Sequence, residues 1–316
     1  MPLGRRALTV AVGAVALAAI PPIAVALGQP FYLDLFTRIL IFAIAALSLD
    51  LILGYGGMVS FGHAAYLGIG AYAVGILSHY GLTDGVLHFA VAILASALAA
   101  LVIGAISLRT SGVYFIMITL AFTQMIYFLG VSLNVYGGDD GMNITAHSDF
   151  GGVLELDNAS VLYYVTFAAL LLFYFAGRRL VGSRFGMVIR GAKSNERRMA
   201  SIGFATFRYK LAAFVISGAM CGVAGALLAN LTLFVSPSIM HWTRSGEVMV
   251  MVILGGMGTL FGPALGAVAY LLLEHVLSGL TQHWQVVLGP ILVLVVLFAR
   301  RGVFGLFAGP TEARRG

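Results

Sequence analysis

The sequence predicts an all-α polytopic membrane protein with about eight full transmembrane helices and a glycine-broken re-entrant helix pair, making eight to ten membrane segments. Three observations predict it. First, 60% of the 316 residues are hydrophobic, 9% are charged, and the mean hydropathy is +1.01. A soluble domain is about 45–50% apolar and about 25% charged, so a fully soluble enzyme or DNA-binding domain is excluded. Second, apolar runs long enough to span a bilayer recur along the whole chain, separated by short polar breaks. Third, the charges are sorted along the chain in a way that sets a topology. No stretch reads as a separate water-soluble domain, so 1–316 is read as a single membrane domain.

Half of the 18 Lys and Arg residues lie between Arg178 and Lys210, where Glu196 is the one acid. By the positive-inside rule this stretch is cytoplasmic. Arg5 and Arg6 put the N-terminus on the same side, and Arg300, Arg301, Arg314 and Arg315 do so for the C-terminus. Val135 to Ala159 holds Asp139, Asp140, Asp149, Glu155 and Asp157 with no Lys or Arg, and reads as the external loop. The formal charge of +6 therefore reflects membrane orientation, and no nucleic-acid partner is expected. The lone cysteine, Cys221, excludes a disulfide framework and a Cys-based zinc site.

The spans follow in order: 7–27, 32–53, 58–79, 86–108, 112–134, 160–177, 211–233 and 284–299. Counting from inside, the fifth ends outside at Val135 and the sixth returns inside at Arg178, in agreement with the charges. Arg5, Arg6 and the run ending Ala24, Val25, Ala26 resemble a signal peptide with a cleavage site. The Pro21–Pro22 pair and the parity of the count favour an uncleaved first helix. The region 246–277 must begin and end outside. Its 32 residues are few for two crossings, and Gly255, Gly256, Gly258, Gly262 and Pro263 break it. The preferred reading is a half-helix, a turn at depth and a return; two short tilted crossings are the alternative. Irregular backbone at such depth survives only when buried in protein or facing a water-filled cavity, which argues for a pathway nearby.

The segment from Gly56 to Gly62 is echoed by Gly255 to Gly262 with one inserted residue. Glycine interruptions at matching places in two halves point to a transporter's pathway; chance likeness among 40 glycines is the other reading. In the first segment Gly54, Gly56 and Gly57 let the backbone bend or approach a neighbour. Gly62, Ala65, Gly68, Ala71 and Gly75 form a small-residue stripe suited to close helix packing. Ser60 and His63 are polar in an apolar stretch and need partners. His63 reads either as a structural hydrogen-bonding residue or as lining the pathway, together with Ser60 and Phe61. No second ligand stands at metal spacing. Asp50 is a functional candidate as an acid in a span, although reaching the inner interface is preferred. Arg244 and Glu247, three apart, suit an ion pair, and Glu274 and His275 are expected near the outer interface. No evident proton relay is present.

The basic stretch Arg184–Lys210 carries two short amphipathic pieces. Gly182 and Ser183 precede a helical pattern with Met187, Val188 and Ile189 as its apolar face. Asn195 and Glu196 start a second helix ending at Gly203, a left-handed C-cap. Arg197 and Arg198 face headgroups or a partner. The stretch reads either as an ordinary basic loop that sets topology or, given its length and two short amphipathic pieces, as a segment that docks into a groove on a soluble partner.

With those segments in view, the chain resembles the permease subunits of bacterial branched-chain amino acid ABC importers, of the LivM-like kind, over about residues 35–300. The resemblance lies in LGYGGMVSFGHAAYLGIGAY at Leu53–Tyr72, GVYFIMITLAFTQM at Gly112–Met125 and GGDDGM at Gly137–Met142. It continues in RFGMVIRGAKSNERRMASIGF at Arg184–Phe204, YKLAAFVISGAMCGVAGAL at Tyr209–Leu227 and MVILGGMGTLFGPALGA at Met251–Ala267. The resemblance implies an ABC importer permease fold in the bacterial inner membrane. It implies a second, LivH-like permease, two cytoplasmic ATPases and a periplasmic binding protein as partners. Asn195, Glu196, Arg197, Ala200 and Gly203 would belong to the helix that docks onto an ATPase. Gly54, Gly56, Gly57, Gly255, Gly256 and Gly258 would lie close to the pathway. No cofactor is expected on this chain: it lacks a Walker A motif, so ATP and Mg would bind the partner ATPases. Leucine, isoleucine and valine are the default substrates, with urea, short amides and aromatic acids as alternatives. A stand-alone secondary transporter would need an ion-coupling site, and none stands out. A membrane enzyme built on Ser60 and His63 would need a convergent catalytic set, for which three residues on one helix are poor grounds.

Overall fold

The computed structural model describes residues 13, 17–26, 28, 30–152, 154–281, 283–284, 286–290 and 293. The charges placed at either terminus, nearly all of the span 284–299 and much of the span 7–27 lie outside the described residues. The rest is a helical bundle: α1 (Ile20–Ala26), α2 (Pro30–Leu53), α3 (His63–His79), α4 (Gly85–Ser107), α5 (Val113–Ser132), α6 (Ala159–Gly182), α7 (Arg184–Ser201), α8 (Thr206–Thr232), α9 (Trp242–Gly255) and α10 (Gly262–Leu280). Six of the described helices, namely α2, α4, α5, α6, α8 and α10, are long and apolar enough to cross a membrane. α6 joins the acidic loop to the basic stretch, and its 24 residues separate the two by about 36 Å. The bundle therefore has an acidic end and a basic end.

Uniformly apolar helices do not reveal which face is buried; small residues do. α2 and α8 form the centre, while α4, α5 and α6 present most of their surface outward. On α8, Gly218, Gly222 and Gly225 let neighbouring backbones come close. A Cβ at Gly222 would strike Ser96 of α4, one at Gly225 would strike the Leu67 carbonyl, and one at Gly70 would strike the Gly222 carbonyl. Such approach is how helices gain packing where no hydrophobic drive exists between them. The predicted stripe on α3 does this only in part. Gly68 and Gly75 instead accommodate Met240, and Met142 with Val235, from loops entering at the acidic end. There Met142–Asn143 pairs antiparallel with Phe234–Val235. His88 ties Leu82 and Ser148 together, and Asn230 accepts from the Ser148 N–H.

One expectation is corrected. The third span, expected at 58–79, has a helix that starts only at His63 and is 17 residues long. Met58–Gly62 is irregular, and hydroxyl side chains from other helices bond the Phe61 N–H and carbonyl within it. The region 246–277 holds the glycine turn between two helices. α9 has 14 residues, α10 has 19, and they run antiparallel with Gly255 against Gly262 and Gly266 against the Met251 carbonyl. α10 lies along the whole of α2. His275 stacks near Phe31 at one end, Glu274 pairs with Arg38 at 4.0 Å, and the turn Gly256–Phe261 meets the last turn of α2 at the other. The glycine turn thus sits at the basic end of the bundle, and Ser236–His241 leads into α9.

Candidate functional site

The two glycine-broken segments meet. α2 ends at Leu53, and Gly54 is so close to the second break that a Cβ there would overlap the Asp50 carboxylate and the Gly258 nitrogen. Asp50 is fully buried, and its Oδ1 accepts from the Gly258 N–H at 2.7 Å. Asp50 lies on the last turn of α2 at the basic end, buried in protein there and held by a backbone donor 208 residues away. Its Oδ2 has no hydrogen-bond partner among the described residues. Gly57 (φ +68°) turns the chain, and the Lys193 stem lies on the face a Cβ would occupy. The Lys193 ammonium donates to the Gly54 carbonyl at 2.7 Å. That carbonyl lies at the C-terminal end of α2, where a cation is favoured by the helix dipole. Gly56 packs on its own turn, against the Ile52 carbonyl and Met58.

Further along the first break, Phe61 is the anchor. Its N–H donates to Thr119 Oγ1 at 3.2 Å, and its carbonyl accepts from Thr123 Oγ1 at 2.9 Å and Ser245 Oγ at 2.7 Å. Ser245 also accepts from the Ala64 N–H at 2.9 Å, and Ser60 from the Gly62 N–H at 3.1 Å. These bonds meet the requirement that irregular backbone inside a membrane protein be satisfied by protein. His63 is buried on α3. Ser217 gives its hydrogen to the Ser48 carbonyl at 2.5 Å, so it accepts from His63 Nε2–H at 2.8 Å. His63 thus ties α3 to α8, and through Ser217 to α2. Cys221 donates to the His63 carbonyl at 3.3 Å.

The second break is held by its own residues and by the end of α2, with Leu260 bonding Tyr55 through its backbone. Within the turn, Thr259 Oγ1 donates to the Gly256 carbonyl at 2.7 Å, and Gly256 and Gly258 have φ of +112° and +76°. Met257 is exposed at its tip. Of the predicted site residues, Gly54, Gly57 and Gly258 come together around Asp50 and Lys193. Ser60, Phe61 and His63 gather at the start of α3. Gly255 serves the packing of α9 on α10.

α7 is bent at Asn195 (φ −159°, ψ 98°), which divides it as the sequence predicts. Asn195 Oδ1 accepts from the Arg198 N–H at 2.9 Å, an N-cap, and Gly203 (φ +96°) ends the second piece. Glu196 pairs with Lys210 at 2.6 Å and accepts from Thr206 at 3.2 Å. Met199 folds back over Gly191, bracing the two pieces. Arg197, Ala200, Ile202 and Phe204 are exposed. The apolar face expected from Met187, Val188 and Ile189 is divided: Val188 and Ile189 are buried, and Met187 points outward. Arg244 and Glu247 form the expected ion pair at 2.8 Å.

Sequence reasoning passes over Lys193 as one basic residue among many, and Thr119, Thr123, Ser217 and Ser245 altogether. The signal available is hydroxyls within apolar spans, with Thr119 and Thr123 four apart on one helix face.

A model of the family described as branched-chain amino acid transport system / permease component matches residues 31–297. The high-affinity branched-chain amino acid transport system permease protein LivM of Salmonella typhimurium is 28% identical over 293 residues, 85% of this chain and 69% of that protein. Its Escherichia coli K12 counterpart is 27% identical, over 90% of this chain and 72% of its own length. A probable branched-chain amino acid transport permease protein LivM of Methanocaldococcus jannaschii is 26% identical, over 78% of this chain and 82% of its own. No solved structure gives a significant match.

Proposed function

This chain belongs to the branched-chain amino acid transport system permease family, and from that premise we propose that it is the transmembrane permease subunit of an ATP-driven importer. In this reading it forms, with a second permease, the path for leucine, isoleucine and valine delivered by a periplasmic binding protein. The observation that carries the reading is the family match over residues 31–297. The capped, solvent-exposed helix Asn195–Gly203 at the basic end supports it: it is a surface formed and held in place, with nothing among the described residues covering its outer side.

In this reading the parts of the arrangement take the following roles. The basic end faces the cytoplasm, where two ATPases bind ATP and Mg, and Asn195, Glu196, Arg197, Ala200 and Gly203 present the docking helix to one of them. The binding protein docks at the acidic end, on the loops 135–159 and 234–245. Closure of the ATPases moves the docking helix, and the permease pair alternates between outward and inward openings. The glycine breaks at Gly54–His63 and Gly255–Gly258 line or border the path. An apolar side chain asks little of such a path beyond small and apolar walls. The whole unit sits in the bacterial inner membrane, with both termini inside.

The test is purification of the tagged chain from its host in mild detergent, with mass spectrometry of what accompanies it. Recovery of two ABC ATPases and a second permease is the expected result. A monodisperse chain without ATPases would refute the reading.

A further inference from the structure

The bonds around Asp50 and Lys193 form a continuous path from the exposed basic helix into the glycine breaks. It starts at Asn195–Gly203, which Met199 braces against Gly191 and which Glu196 fastens to Lys210. Two residues before the bend, Lys193 leaves α7, lays its stem on Gly57 and donates to the Gly54 carbonyl at 2.7 Å. On the last turn of α2, the Asp50 carboxylate feels the same ammonium and accepts from the Gly258 N–H at 2.7 Å. Each contact is of a kind that transmits position. The Lys193 stem sits against bare backbone, a charged donor holds a helix-end carbonyl, and a buried carboxylate holds a backbone N–H that no other hydrogen bond among the described residues satisfies. Charge-assisted bonds of this kind are shorter and stronger than neutral ones.

We propose that Lys193 and Asp50 are positioning residues for transport: they form a strut that carries displacement of the Asn195–Gly203 helix to both glycine breaks at once. The inference rests on the importer reading. It goes beyond that reading in naming two residues outside the docking surface through which the motion passes. Gly54 and Gly57 take part because any side chain there would displace Asp50 or Lys193.

The experiment uses the complete transporter in proteoliposomes with its binding protein, and reads leucine taken up per ATP hydrolysed. Lys193→Met keeps the stem and removes the donor; Asp50→Leu removes the acceptor. Each is expected to lower the ratio at least tenfold. Asp50→Asn retains an oxygen for Gly258, and Lys193→Arg retains a donor, so each should keep more than half of the wild-type ratio. Unchanged ratios in both Lys193→Met and Asp50→Leu would overturn the strut. A second measurement does not depend on those variants folding. In a Cys221→Ser background, spin labels are placed at Ser194 and Met257, both exposed, with Ser194 and Val135 as the reference pair. On ATP binding, the reference distance should change while the Ser194–Met257 distance holds. A change in the Ser194–Met257 distance would overturn the proposal. Failure of the importer reading looks different: the wild-type chain itself would move leucine without ATP, and the role for the strut would fall with it.

Discussion

The two glycine breaks have similar sequences and differ in how they are held. The first, Gly54–Gly62, is pinned by side chains from α5, α7 and α9, with Thr119, Thr123, Lys193 and Ser245 all bonding its backbone. The second, Gly256–Phe261, is closed by its own Thr259 and meets the end of α2 and the first break through Gly258 on Asp50 and Leu260 on Tyr55. Glycine composition therefore marks where a chain leaves helical geometry, and the surrounding hydroxyls and charges decide how firmly it is held there. The first break is a built part of the core. The second is a turn held by its own Thr259 and by Asp50 and Tyr55, with an exposed tip.

That difference can be broken most forcefully at the point of contact. Gly54→Val would drive a branched side chain into the Asp50 carboxylate and the Gly258 backbone, with no flexible neighbour to give way. Overpacking costs about 1–3 kcal/mol and occasionally more, and overlap with backbone puts this site at the upper end. Thermal unfolding in detergent should show a large fall in midpoint or loss of folded protein. Thr119→Val comes next. It strips the Phe61 N–H of its bonded acceptor, at about 1–3 kcal/mol. Thr123→Val should cost less, because Ser245 still serves the Phe61 carbonyl; equal midpoint losses for the two would contradict this division of bonds. Gly258→Ala has room, its nearest neighbour being the Gly54 carbonyl at 3.5 Å, but φ is +76°. The left-handed conformation alone should cost about 1–2 kcal/mol, visible as a modest midpoint shift. Glu196→Gln is the mildest. It weakens a half-exposed ion pair with Lys210 worth under about 1 kcal/mol, so unfolding should barely move.

How much of this is legible in the sequence follows the range of the forces. Hydropathy locates α2, α4, α5, α6 and α8 to within a few residues, because span length is set by the bilayer rather than by neighbours. The bend at Asn195 and the stop at Gly203 are legible because capping is local. The late start of α3 at His63 is not. Met58–Gly62 is kept out of helix by Thr119, Thr123 and Ser245, which lie 58 to 184 residues from Phe61. The burial of Asp50 is not legible for the same reason, since it depends on a backbone N–H on the far side of the sequence. Lys193 cannot be told from its basic neighbours until Gly57 and Gly54 are folded against it. The full length of α10 is hidden from residue counting because Gly255 to Pro263 breaks the apolar run before it.

Uptake of labelled leucine into proteoliposomes holding the purified complex separates an ATP-driven importer from an ion-coupled carrier. The importer is expected to need ATP and the binding protein and to be indifferent to ionophores that collapse proton and sodium gradients. Uptake driven by an ion gradient with no ATP present would contradict it.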